Sequence, residues 1–174
     1  VRRFGADAVS SLAALDARSA SRQGRELLRL CPDERAVAAA VVDALAMAGH
    51  STEALELAEG LAMGNGRAPA MAFVLARAGR AVLDTDADEA TARALARRAR
   101  HFLSGDSPPL TLLALEGRLH LSAGQASQAL ATARQGLASA MPTERVAQIA
   151  WVDLRLIEAE ALAETGHIQS AVEC

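Results

Sequence analysis

The residues that could do chemistry are scattered along this sequence and form no motif. The histidines His50, His101, His120 and His167 stand far apart, and none is paired with a cysteine or a second histidine at metal-ligand spacing. Neither cysteine, and no serine, lies in a recognisable nucleophile motif. The pattern therefore predicts a chain that is not an enzyme and has no cofactor or metal site.

Two charged clusters interrupt this pattern, and each has a plainer interpretation. Arg93, Arg97 and Arg100 share a helix face that could contact phosphates or an acidic partner. A solvated outer face is favoured, since the net charge is −3 and no aromatic residue interleaves the cluster. The acidic run from Asp84 to Glu89 lacks the glycine of a Ca²⁺ loop, so we interpret it as the cap and first turn of a helix.

Composition limits the class of protein. Of the 174 residues, 42 are Ala, 24 are Leu and 18 are Arg, whereas aromatic residues make up 2%. Strong helix formers at this frequency exclude an all-β protein, and the hydrophobic share of 51% excludes a disordered one. No apolar run reaches the ~18 residues of a membrane span. Two cysteines give no disulfide framework, so a cytoplasmic location is expected.

The apolar periodicity is helical almost everywhere, with Gly, Pro, Asp and Ser at the joints. Prolines fall at helix starts, and Gly49, Gly124 and Gly166 fall at helix ends. The pattern predicts ten helices, at 6–16, 18–30, 34–48, 52–63, 69–83, 87–103, 109–122, 126–140, 144–165 and 168–174.

Three short blocks repeat, each between two predicted helices. They read AGHSTEAL at 48–55, AGQASQAL at 123–130 and TGHIQSAV at 165–172. A small residue early in the second helix lets two helix axes approach closely, and a period near 34 to 42 residues is typical of a helical solenoid. Five alanines mark the equivalent positions, at spacings of 34, 36, 39 and 42 residues: Ala20, Ala54, Ala90, Ala129 and Ala171.

These repeats resemble tetratricopeptide repeats. Val41-Val42 stands at the family's Leu-Gly pair, Leu45 at its tyrosine and Ala54 at its small position. In a later copy Glu116-Gly117 stands at the pair and His120 at the tyrosine. The family's aromatic residues are largely absent here, and the repeats lengthen along the chain.

The resemblance implies an all-α fold, a right-handed superhelical solenoid of antiparallel helix pairs. It implies one repeat domain over residues 1–174, as a fragment of a larger protein. The repeats would then cover about 1–33, 34–67, 68–106, 107–142 and an incomplete 143–174.

The segment LALEGRLHLSAGQ at 113–125 is similar to the repeat region of MalT-type, LuxR-family ATP-dependent regulators. Such regulators carry an N-terminal ATPase, a helical repeat arm and a C-terminal helix-turn-helix. With no lysine, this chain has no phosphate-binding loop, and no terminal helix gathers basic residues. The resemblance therefore implies a bacterial transcription regulator's arm, with ATP and DNA chemistry elsewhere. A free-standing scaffold that docks peptides or proteins is the alternative.

In tetratricopeptide arrays the first helices of the repeats line a concave groove. The matching positions here give the candidate partner-binding residues Asp43, Met47, Arg118, Leu121, Leu156, Glu160 and Glu164. Asp43, Arg118 and Glu160 would act as polar anchors, although an equal interpretation is that the whole set faces water. The implied partner is a protein or peptide, with a small effector or a second copy as further options. No direct contact with nucleic acid or membrane is expected from this segment.

Overall fold

Within the residues that it describes, the computed structural model contains nine helices and no strand. The helices are α1 (Ala17–Leu30), α2 (Arg35–Met47), α3 (Ser51–Gly64), α4 (Pro69–Asp86), α5 (Glu89–His101), α6 (Leu110–Ser122), α7 (Ala126–Leu137), α8 (Arg145–Glu164) and α9 (Ile168–Val172). The residues described are 8, 9, 12, 16–30, 35–48, 50–64, 69–103, 105, 107–143 and 145–172.

The helix boundaries follow the local chemistry that the sequence predicts. Proline starts α4 at Pro69 and caps α6 at Pro109, where a missing N–H is tolerated. Gly124 and Gly166 follow α6 and α8 with φ of +67° and +84°, the left-handed conformation that ends a helix. The predicted all-helical class is confirmed for the described residues. Most of the predicted helix at 6–16 lies outside the described residues, and so do Cys31 and Gly49.

The turn between α4 and α5 differs from its prediction. α4 continues through Asp84 to Asp86, and the chain reverses at Ala87, whose φ of 51° is unusual for a residue with a side chain. The predicted acidic cap is confirmed for Asp88, whose carboxylate accepts a hydrogen bond from the Thr91 N–H at 3.0 Å, and wrong for Asp84 and Asp86, which belong to α4. The alanine landmark is misplaced, since Ala90 is exposed and Ala92 is the fully buried small residue.

The chain divides into two compact units, Val1–Asp106 and Ser107–Cys174. In the N-terminal unit α4 packs against both members of the preceding hairpin, α2 and α3, and α5 then packs on α4. The C-terminal unit repeats this arrangement: α8 packs against both α6 and α7, and α9 packs on α8. Each unit therefore joins two helical hairpins through the first helix of the second hairpin.

Small residues set how closely these helices approach. A Cβ on Gly24 of α1 would stand 2.5 Å from Val41 of α2, and one on Gly136 of α7 would stand 2.5 Å from Leu154 of α8. The core around these contacts is aliphatic, with fully buried Leu75 in the N-terminal unit and Leu154 in the C-terminal unit. Among the described helices, none is both long and apolar enough to cross a membrane.

Candidate functional site

A buried ion pair joins the first helices of the two hairpins in the N-terminal unit. The Arg77 Nε on α4 donates a hydrogen bond to the Asp43 carboxylate on α2. Both side chains are largely withdrawn from water, with 21% and 12% of their surface exposed. The pair thus joins α2 to α4 across 34 residues of sequence.

The pKa of Asp43 shows how this pair is balanced. Burial of the carboxylate raises the pKa of Asp43 above its ordinary value, and the charge and hydrogen bond of Arg77 only partly oppose that rise. The ionised form of Asp43 therefore carries a desolvation cost that Arg77 reduces. A carboxylate in this setting is a poor free anchor for a partner, because its one strong donor already comes from the same unit.

An arginine with two acidic partners occupies the matching place in the C-terminal unit. Arg118 on α6 donates from Nη2 to Asp153 at 2.9 Å and from Nη1 to both oxygens of Glu160, at 2.7 and 2.8 Å. Burial lowers the pKa of Arg118, but the hydrogen bonds that Arg118 donates to Glu160 and Asp153 outweigh it and raise that pKa overall. Both acids lie on α8, so the network fixes α6 against α8.

The outer face of α8 exposes an apolar stripe, which we define as Ile149, Val152 and Leu156. Their exposed fractions are 56%, 51% and 52%, and their spacing of three and four residues places them on one helix face. The opposite face of α8, with Leu154 and Ile157, is fully buried in the core. The stripe is thus apolar surface that the C-terminal unit does not use for its own packing.

Two acidic residues border the stripe toward the end of α8. Glu160 keeps 51% of its side chain exposed while it binds Arg118, and Glu164 is exposed at the last position of the helix. On the flank, Trp151 packs under Arg155, whose guanidinium carbon lies 4.9 Å from the ring centroid. The face therefore combines apolar contact area with negative charge on its rim.

No protein-family model, curated protein or solved structure matches this chain.

The predicted partner-binding residues fall into three groups in the structure. Arg118 and Glu160 lie in direct contact, and Leu156 lies on the same helix as Glu160 and Glu164. Leu121 is partly buried against the core of the C-terminal unit, so it offers little surface to a partner. Asp43 belongs to the N-terminal unit and is paired with Arg77, and the Met47 side chain lies outside the described part of the structure.

Sequence reasoning missed Arg77, Ile149 and Val152. The repeat spacing does not single out Arg77, because Asp43 and Arg77 are 34 residues apart whereas the landmarks Ala54 and Ala90 are 36 apart. A helical stripe of Ile149, Val152 and Leu156 was visible, but apolar spacing alone does not distinguish the core face of a helix from its outer face.

The basic cluster on α5 has ordinary ion-pair partners among the described residues. Arg93 is paired with Glu89 and Arg98 with Glu59, as on an ordinary charged helix surface. Across the described ranges, no three His, Cys, Asp or Glu side chains converge in a way that could hold a metal ion. The arrangement with most to offer a partner is therefore the face of α8.

Proposed function

We propose that this chain is a protein-interaction arm that binds a partner helix along the apolar stripe of α8. The observation that carries the proposal is the exposure of three large apolar side chains, Ile149, Val152 and Leu156, on one face of a helix whose other face is already buried. Contiguous exposed apolar surface with a polar rim is typical of interaction sites.

The chemistry of the face defines the partner. An amphipathic helix would place apolar side chains at a spacing of three and four residues along the stripe. Glu164 would then favour Arg or Lys at the end of that helix, because it adds negative charge at one end of the face, whereas Glu160 already binds Arg118. The partner we propose is therefore an amphipathic helix with a basic end.

We further propose that this arm is built as a tetratricopeptide-like solenoid and serves a LuxR-family transcription regulator. Two features support the solenoid: the recurring alanine-marked blocks and the same order of helix contacts in both units. The regulator is supported by the segment at 113–125, in which a Cβ on Gly117 would stand 3.0 Å from Ile157 of α8. No catalytic step is assigned to the arm itself.

Selection of peptides against the full chain tests the partner chemistry. A displayed peptide library should yield amphipathic helices with two or three large apolar residues and adjacent Arg or Lys. Replacing an apolar contact at the centre of a hot spot by a charge should weaken binding by about tenfold or more. Leu156→Glu is the variant of choice, because Leu156 is exposed and its loss leaves the core intact. Binding is measured by fluorescence anisotropy of labelled peptides.

Leu30→Glu is the matched control, since Leu30 is an exposed leucine on α1 in the other unit. Its peptide affinities should match those of the unaltered chain. Selected peptides that are acidic, or that bind the Leu156→Glu variant as tightly as the unaltered chain, would contradict the proposed docking face.

The sequence of the intact gene tests the regulator separately. A nucleotide-binding ATPase upstream and a helix-turn-helix downstream would support it. Absence of both would remove the regulator and leave the alternative, a scaffold that docks peptides or proteins.

A further inference from the structure

A cleft in the N-terminal unit is lined almost wholly by cationic and hydroxyl side chains. It encloses about 280 Å³ between α1 and the start of α3. Its walls consist of Arg18, Ser19, Ser21, Arg22, Arg25 and His50. The three arginines follow one another at intervals of four and three residues, which places them on one face of α1.

Arg18 and Arg22 differ from most described arginines because they form no ion pair with the described residues. Other described arginines, such as Arg77 and Arg118, bind a carboxylate of their own unit. Arg97 on α5 is a third arginine without an ion pair to the described part of the chain, but it lies outside the cleft. The Asp16 carboxylate, which accepts from the Ser19 N–H at 3.1 Å, lies near enough for the charge of Arg22 to lower the pKa of Asp16, but it binds neither arginine directly. The guanidinium donors of Arg18 and Arg22 thus bind no described carboxylate, and two such groups in one cleft attract an anion.

The opposite wall of the cleft is fixed in place by Glu53. Its carboxylate accepts a hydrogen bond from Arg25 at 2.6 Å and lies 3.2 Å from the His50 ring nitrogen. Ser21 is buried, and its hydroxyl donates to the backbone carbonyl of Arg18 at 2.9 Å. These contacts hold α1 against the turn before α3. The side chains of the cleft would therefore lose less conformational entropy when a ligand binds.

The charge and size of the cleft define the class of anion. A guanidinium presents a planar fork of donors, and a phosphate group offers more terminal oxygens and more negative charge to two such forks than a carboxylate does. About 280 Å³ exceeds what a lone phosphate fills and falls just below the range of drug-sized pockets. The net charge of −3 opposes binding of a long polyanion such as a nucleic acid.

We propose that this cleft binds a small phosphorylated metabolite, with Arg18 and Arg22 as the principal ligands of its phosphate group. Arg25 and His50 form the far wall, and the rest of the cleft holds the body of the molecule. This site does not depend on the function proposed above, because it lies within residues 18–50 and the docking face lies on α8.

Calorimetric titration of the full chain at constant ionic strength tests the site. Glycerol 3-phosphate, inorganic phosphate and acetate serve as the probes. Saturable binding of the two phosphates, with acetate at least about tenfold weaker, is the expected result. A lower dissociation constant for the ester than for inorganic phosphate identifies an organic phosphate as the ligand, and equal constants identify the phosphate group alone.

Single substitutions assign the binding to the two arginines. Arg22→Gln and Arg18→Gln should each weaken the affinity for both phosphates by about tenfold, which is the effect of losing one charge-assisted hydrogen-bonding group. Arg97→Gln removes the same charge outside the cleft and should leave the affinity within about twofold. All three residues are exposed, so thermal unfolding of the variants should match that of the unaltered chain.

Several results would overturn the proposal. One is no saturable binding of either phosphate up to about 10 mM, well beyond millimolar affinity. A second is equal weakening by Arg22→Gln and Arg97→Gln, which would mean general charge attraction. A third is tight binding of heparin without binding of the small phosphates, which would make this a polyanion surface.

Discussion

In each unit an ion pair joins the first helices of the two hairpins, but the acidic and basic residues are exchanged between the earlier and the later helix. In the N-terminal unit the earlier helix supplies the acid, Asp43, and the later helix supplies Arg77. In the C-terminal unit the earlier helix supplies Arg118, and the later helix supplies Asp153 and Glu160. The comparison teaches that the contact between first helices requires complementary charge, whereas the sign on each helix is free to vary.

The two networks also differ in how well each buried charge is satisfied. Asp43 has a raised pKa because burial outweighs its partner, whereas Arg118 has a raised pKa because its hydrogen bonds outweigh burial. A single arginine thus compensates Asp43 incompletely, and two carboxylates compensate Arg118 fully. The N-terminal unit should therefore be the more sensitive of the two to loss of a partner and to pH.

Arg77→Gln should have the largest effect on stability. It leaves the buried Asp43 carboxylate without its cation, and breaking a buried pair in this way costs about 3 kcal/mol. The pKa of Asp43 is already above its unfolded value, so the folded chain binds this proton more tightly than the unfolded chain. Loss of Arg77 widens that difference. Urea unfolding should show that Arg77→Gln has a lower free energy of unfolding than the unaltered chain at neutral pH. This difference should shrink as the pH falls toward the ordinary range of a carboxyl group, because Asp43 then becomes protonated.

Arg29→Gln is the control for this measurement. Its pair with Glu26 is exposed, and an exposed pair on one helix contributes less than about 0.5 kcal/mol. A deficit in Arg77→Gln that does not change with pH would show that Asp43 is not the group left uncompensated.

Gly24→Ala and Gly136→Ala compare how tightly the two units are packed. Both added methyl groups would approach a neighbour to 2.5 Å. At Gly24 the neighbour is Val41, whose β-branched side chain has little freedom, so we expect a loss of about 2 kcal/mol. At Gly136 the neighbour is the tip of Leu154, which can shift, so a loss of about 1 kcal/mol is expected.

Gly60→Ala is the reference for both substitutions. An added methyl group there meets no other atom within 4 Å, so the variant should gain about 0.5 to 1 kcal/mol from helix propensity alone. Thermal unfolding of the three variants measures these differences. If Gly24→Ala were as stable as Gly60→Ala, α1 and α2 would not be in the close contact described.

The turns between helices provide the smallest test. The turns after α6 and after α8 in the C-terminal unit each contain a glycine with positive φ, whereas the turn between α4 and α5 in the N-terminal unit contains Ala87. Ala87→Gly should relieve the left-handed strain and stabilise the chain by about 0.5 kcal/mol. Gly124→Ala should introduce the same strain and destabilise by about 1 kcal/mol. Midpoints of thermal unfolding that shift in the same direction in both variants would contradict this comparison.

Local chemistry made the helices predictable from the sequence. Pro69, Pro109, Gly124 and Gly166 act within a single turn, so each leaves a readable signal at a helix boundary. Ala87 shows the limit, because an alanine in a left-handed turn is indistinguishable in sequence from the many alanines inside helices.

The candidate site was less predictable because its properties arise between helices. Arg118 and Glu160 were identified from repeat positions, but their mutual contact depends on the register of α6 against α8. Leu121 and Leu156 illustrate the same limit. Both were expected in a groove, yet Leu121 lies partly against the core and Leu156 lies on an open face, which depends on which neighbour covers each helix.

The lone tryptophan gives this protein a built-in optical label for one half of the molecule. Trp151 lies in the C-terminal unit beneath the Arg155 guanidinium, and the sequence contains no tyrosine. Its emission therefore follows events around α8, while circular dichroism follows helix in the whole chain. Recording both signals from a single sample distinguishes unfolding of the C-terminal unit alone from unfolding of the whole chain.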